Sequence, residues 1–192
     1  MLDLAPKKIA RPSPYARPGA HAPASETRGR VAILTGCAQP VLDPGINEAT
    51  IKLLTRIGVE VVVPKGEGCC GALVHHMGRE DKALADARRN VDAWMREVDN
   101  GGLDAIIITA SGCGTTIKDY GHMLRLDPAY AEKAARVSAL AKDIIEYLAG
   151  IDLPAAAPLA AAGRRHGAVH GVRVEAEPAG QLPLVAGTQD GV

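Results

Sequence analysis

Four cysteines carry the most distinctive chemistry in this chain of 192 residues. Cys69 and Cys70 are adjacent, within Gly66-Glu67-Gly68-Cys69-Cys70-Gly71. Cys37 lies upstream in Thr35-Gly36-Cys37, and Cys113 downstream in Ser111-Gly112-Cys113-Gly114. Clustered cysteines ligate soft metals, do redox chemistry or pair as disulfides. A vicinal disulfide is strained, and residues 1–30 contain no continuous apolar stretch of the kind a secretory signal needs. A reduced, cytoplasmic setting is therefore expected, with the thiols free to bind metal. One tetrahedral zinc accepts four thiolates at a single centre, whereas an iron–sulfur cluster takes them on several irons and tolerates adjacent donors. No Cys-x-x-Cys spacing is present to choose between the two.

The elements around the cysteines suggest why they belong together. Val31–Leu34 reads as a buried strand and runs into Cys37. Val59–Val63, rich in β-branched residues, is a second strand and runs into Cys69 and Cys70. Leu103–Thr109 is a third and runs into Cys113. A helical pattern follows each: 47–57, with Ile46, Ala49, Leu53, Leu54 and Ile57 at helical spacing; 80–98, with Leu84, Ala87, Val91, Trp94, Met95 and Val98 on one face; and 115–124. A further helix is expected from Pro128 to Leu148. Strands alternating with helices imply a parallel sheet with right-handed crossovers, so every strand's carboxyl end lies on one edge. All four thiols are then delivered to that edge, close to helix N-termini that favour thiolate over thiol. A lone cysteine is as often a small buried apolar residue. Four cysteines that each follow a strand, each with a glycine within two positions, favour one shared site. The expected fold is a small three-layer α/β domain with a short parallel sheet, cysteine loops at its carboxyl edge and disordered termini.

Composition divides the chain in three. Residues 1–30 hold five prolines and six Lys/Arg against two acids, and read as a Pro-rich basic linker or, in a functional version, an electrostatic docking arm. Residues 31–150 are the patterned cysteine-rich domain. Residues 151–192, rich in Ala, Pro and Gly and without a period, read as a disordered tail. Lys plus Arg equals Asp plus Glu at 22 each, so nothing global points to nucleic acid. No apolar run approaches the roughly 20 residues needed to span a bilayer, which leaves peripheral membrane association open.

Val31–Leu34 with Thr35-Gly36-Cys37, the Gly66–Gly71 segment with 31 residues between Cys37 and Cys69, and Ser111-Gly-Cys-Gly-Thr-Thr-Ile-Lys-Asp-Tyr120 together resemble the cysteine-rich (CCG) domain. That domain occurs in heterodisulfide reductase-like proteins and in the iron–sulfur subunit of glycolate oxidase, the latter being the nearer likeness. The resemblance covers about residues 1–160. It implies a cluster of the 4Fe–4S type on Cys37, Cys69, Cys70 and Cys113. It also implies electron transfer from a flavin-containing subunit that oxidises glycolate to glyoxylate. The broader family often closes its last motif with Cys-x-x-Cys; here Thr116 stands at the second position. The family's ferredoxin-type clusters and second CCG domain have no counterpart in this sequence, so a fragment of a longer subunit is expected, inactive alone. The contrasting readings are a non-catalytic module that docks on the flavin subunit and a structural zinc domain.

Other candidates are weaker. His75 and His76 could assist the site, although helix-start histidines are usually exposed. Lys118 could sit near the thiolates, or simply on a solvated face. Trp94 reads as core. His166 and His170, four apart, lie in a stretch without helical pattern. Neither a phosphate-binding Gly-rich loop nor a Gly-x-Ser-x-Gly signal occurs.

Overall fold

Runs of Val and Ile too short for helices pair into a sheet, and the amphipathic stretches between them cover its two faces. The computed structural model describes residues 11–151. Its strands are β1 (Gly19–His21), β2 (Gly29–Ile33), β3 (Val59–Val63), β4 (Ala105–Ile108) and β5 (Ala141–Asp143), in the order β1-β3-β2-β4-β5. Strands β2 to β5 are parallel, with Val31 opposite both Val61 and Ala105; β1 runs antiparallel beside β3. The helices are α1 (Gln39–Leu42), α2 (Gly45–Arg56), α3 (Ala72–His76), α4 (Glu80–Asp99), α5 (Ser111–Lys118), α6 (Tyr120–Met123), α7 (Ala131–Leu140) and α8 (Ile144–Ala149).

Strand alternation splits the core in two. Ala32, Leu34, Ile106 and Ile108 face Ala87, Val91 and Trp94 of α4, with Ile117, Tyr120 and Val137. Val31, Ile33, Val61, Val63 and Ile107 face Ile51 and Leu54 of α2 and Tyr147 of α8. With no Phe in the chain, the largest fully buried side chains are Trp94 and Tyr120, whose rings stack with centroids 6.4 Å apart. At the amino edge of the sheet, Arg30 ties β2 to β3 and α4, donating to Glu60 and Glu97 at 2.8 Å each and to the Gly102 carbonyl at 2.7 Å.

The α/β class and the mostly parallel sheet agree with the sequence reading; four details differ. First, residues 11–30 are not all linker. Pro14–Ala16 form a 3₁₀ turn, β1 adds an edge strand, and β2 starts at Gly29. Ser13 donates to Glu48 at 2.8 Å, and Tyr15 stacks on His21 with Lys52 above its ring. The prolines flank β1 instead of interrupting it, which an edge strand tolerates. Second, the expected helix 128–148 is α7, β5 and α8. Ala141 pairs with Ile106, and Asp143 with Glu146 forms a capping box that starts α8 afresh. Third, α5 begins at Ser111, so Cys113 stands in a first helical turn and not in a loop. Fourth, the buried stripe of α2 is Asn47, Thr50, Ile51 and Leu54, while Ile46 and Leu53 are exposed. Of the ends expected to be disordered, 1–30 and 151–192, residues 1–10 and 152–192 lie outside the described residues, as do His166 and His170.

Candidate metal centre

Three neighbouring strands deliver the thiols. Central β2 leads through Leu34, Thr35 and Gly36 to Cys37, which is exposed. Strand β3 leads through Pro64–Gly68 to half-buried Cys69 and to Cys70, which is 2% exposed. On the other side of β2, β4 leads through Thr109 and Ala110 into the first turn of α5 and half-buried Cys113. All four cysteines are free. Cys37 lies near enough to Cys69, and Cys113 and Cys69 near enough to Cys70, for the thiols to shift one another's titration. The three segments thus bring their thiols to one place.

The contacts divide the protons unequally. The neighbouring Cys113 thiol pulls Cys70 down to about 6, against the opposing effect of burial, with the Ala72 amide at the start of α3 assisting. Cys113 is pushed well above the ordinary thiol range, first because its proton is engaged by Cys70 and second by burial. Burial raises Cys69, opposed by the Gly71 amide, which donates to its sulfur at 3.5 Å. The arrangement holds one readily formed thiolate at Cys70 beside Cys69 and Cys113, which keep their protons until a cation replaces them.

A web of uncharged and carboxylate groups ties the segments together without using the thiols. Glu67, two residues before Cys69, accepts from Thr35, two residues before Cys37, at 2.8 Å (amide) and 2.6 Å (hydroxyl). Gln39 donates to Thr109 at 2.8 Å, and Thr109 donates to Asn47 at 2.9 Å. Asn47 in turn donates to the Thr35 carbonyl at 3.0 Å, which links the β4 end to the Cys37 segment. Below the vicinal pair, Asn90 accepts from the Gly68 amide at 2.8 Å and donates to the Cys69 carbonyl at 3.0 Å, while Tyr120 donates to the Cys70 carbonyl at 2.7 Å. Gly71 stops the pair with φ +84°, and a Cβ there would meet the Ala83 carbonyl at 3.2 Å. One oxygen of Glu67 and the indole nitrogen of Trp94 are buried without a hydrogen-bond partner. Trp94 lies near enough to favour the charged carboxyl but does not close to a bond, and burial pushes Glu67 up to about 7.

Among the described residues, no three or more His, Cys, Asp or Glu side chains are already closed around a single metal position. The donor chemistry nevertheless fits a soft group. All four candidates are thiols that influence one another, one ionises readily, and the adjacent pair suits a cluster with several metal atoms. Cys37, Cys69, Cys70 and Cys113 are the residues that could hold it. His75 and His76 are exposed at the end of α3 and line a cleft of about 490 Å³ with Gly112, Thr116 and Lys118. Lys118 is paired with Glu146 at 2.6 Å, and the Thr116 hydroxyl donates to the Gly112 carbonyl at 3.1 Å. Sequence reasoning missed Glu67, Asn47, Asn90 and Thr109. The available signal for Asn90 was a polar residue at a position that falls on the apolar face of α4.

Residues 31–118 match the family model described as "CCG: Cysteine-rich domain". Over 119 residues the chain is 49% identical to the "Glycolate oxidase iron-sulfur subunit" of Escherichia coli, a match covering 62% of this chain and 29% of that protein. It is 36% identical over 123 residues to the "Probable glycolate oxidase iron-sulfur subunit" of Bacillus subtilis, covering 64% of this chain and 27% of that one. It is 25% identical over 122 residues to "Lactate utilization protein A" of Bacillus licheniformis, covering 64% of this chain and 49% of that protein. The chain therefore spans under a third of the two glycolate oxidase subunits and about half of the third relative. No solved structure matches it.

Proposed function

From a chain that carries a CCG cysteine-rich domain, we propose that it is the cluster-holding part of an iron–sulfur subunit, passing electrons within a 2-hydroxy-acid oxidase complex. The observation that carries this reading is the meeting of Cys37, Cys69, Cys70 and Cys113 at one sheet edge, from three separate segments. The names of its relatives support glycolate as the acid oxidised by the complex, and the family resemblance implies a flavin-bearing subunit as the electron donor. The cluster is of the 4Fe–4S type and the thiols work in the reducing cytoplasm. When bound, the cluster supplies one-electron transfer. The chain's own contribution is to present four thiols, to favour the first ionisation at Cys70, and to shield the buried side of the pair from water.

The test is iron and acid-labile sulfide analysis of protein purified anaerobically and reconstituted with ferrous iron and sulfide. The expected result is a brown protein with broad visible absorption that the Cys69→Ser, Cys70→Ser double variant does not develop, although it remains folded by circular dichroism. A colourless wild-type chain without iron overturns the proposal, and stoichiometric zinc in its place assigns the thiols to a structural site.

A further inference from the structure

A fully buried polar pair underlies the vicinal cysteines. Asn90 on α4 and Tyr120 on α6 are both 0% exposed. Polar groups are costly in such surroundings unless paired. Each hydrogen bond that these two side chains make goes to the other or to the backbone of residues 68–70. Asn90 accepts from the Gly68 amide (2.8 Å) and donates to the Cys69 carbonyl (3.0 Å) and the Tyr120 hydroxyl (3.2 Å); Tyr120 donates to the Cys70 carbonyl (2.7 Å). On an extended strand successive residues point to opposite sides. Here two successive carbonyls converge on one Asn–Tyr pair, so the chain is curled and both peptide units face the core. Arg89, held by Asp86 at 2.6 Å, adds a donor to the Cys69 carbonyl at 3.1 Å. Gly68 makes room for it, since a Cβ there would meet the guanidinium at 2.9 Å.

We infer that Asn90 and Tyr120 are positioning residues of the thiol centre, turning both carbonyls of Cys69 and Cys70 inward so that two adjacent thiols reach Cys37 and Cys113 together. This rests on the reading of the four thiols as one centre. A pair that only joined α4 to α6 would duplicate the Trp94–Tyr120 stack and would not need its three other bonds aimed at three residues of one loop. Hydrogen bonds made just beyond the ligands themselves hold donor direction, and their loss typically weakens metal retention by about 10–100-fold.

The test uses the whole chain, reconstituted anaerobically with ferrous iron and inorganic sulfide, in wild-type, Tyr120→Phe and Tyr147→Phe forms. Tyr147 is buried against the other sheet face and serves as the control. The readouts are the melting temperature of the metal-free protein, iron retention against a competing chelator well below that temperature, and the visible and electron-paramagnetic spectra. Tyr120→Phe is expected to lose iron about 10–100-fold more readily with an altered spectrum, while Tyr147→Phe behaves as wild type in both. If Tyr120→Phe fails to fold, Asn90→Ser is read in the same way. Wild-type retention and spectrum in a folded Tyr120→Phe or Asn90→Ser chain overturn the positioning role and leave the centre intact. A wild-type chain that takes up no iron overturns the centre itself.

Discussion

Replacing Glu67 by Gln isolates the cost of a buried charge beside the thiol segments. Burial is the main reason that the Glu67 carboxyl is pushed up to about 7 from 4.5, with the two bonds from Thr35 and the nearby Trp94 opposing it. The folded chain then binds this proton more tightly than the unfolded chain does. The resulting stabilisation is fully present below about pH 4.5 and is lost as the pH rises through about 7. A separation of about 2.5 pH units, at roughly 1.4 kcal/mol each, amounts to about 3 kcal/mol. Glutamine keeps an oxygen for Thr35 and cannot ionise, although its amide leaves donors unpaired at a cost of about 1 kcal/mol. Metal-free Glu67→Gln is therefore expected to match the wild type within about 1 kcal/mol at pH 5 and to exceed it by about 2 kcal/mol at pH 9. For a chain of this size that is a melting-temperature gain of about 4–8 °C. The assay is thermal unfolding by circular dichroism from pH 5 to 9 under reducing, chelated conditions. Other titrating groups are common to both proteins and largely cancel in the comparison. A difference between wild type and variant that stays flat across the range refutes the buried charge.

Two further outcomes follow from the geometry. Gly71→Ala forces a side chain into φ +84° against the Ala83 carbonyl, and should lower stability by about 1–2 kcal/mol in urea titration. An unchanged midpoint contradicts it. Arg30→Ala removes the tie among Glu60, Glu97 and Gly102 at the amino edge, and should cost about 1–3 kcal/mol while leaving iron uptake per folded chain unchanged. Loss of iron uptake in a folded Arg30→Ala protein contradicts the separation of the two sheet edges.

Much of the frame was legible because its signals are local. Val59–Val63 is rich in β-branched residues, and Gly58 before it and the glycine-rich segment after it mark its ends. The period of Leu84 to Val98 likewise announces α4 almost to the residue. The misses come from contacts that are distant in sequence. Gly19–His21 has no strand signal of its own; it becomes β1 only because the edge of β3 offers unpaired main-chain groups. Ala141–Asp143 sits in a helical pattern and is drawn into the sheet by β4, with Asp143 then acting as a cap. On α2, Asn47 takes the inward place assigned by pattern to Ile46, because its amide meets the Thr35 carbonyl and the Thr109 hydroxyl. The cysteines themselves could be grouped from topology alone. Asn90 and Tyr120, which hold the backbone of the adjacent pair, could not, since their partners there are main-chain atoms that leave no trace in composition.

The bridges among Thr35, Glu67, Gln39, Asn47, Thr109, Asn90 and Tyr120 contain no sulfur. Small metal-dependent folds such as zinc fingers collapse when their ion is removed, because the ion is their only framework. This domain is built the other way round. None of these ties runs through a thiol, so the metal-free chain is expected to keep its sheet, with a cooperative thermal transition in the presence of chelator.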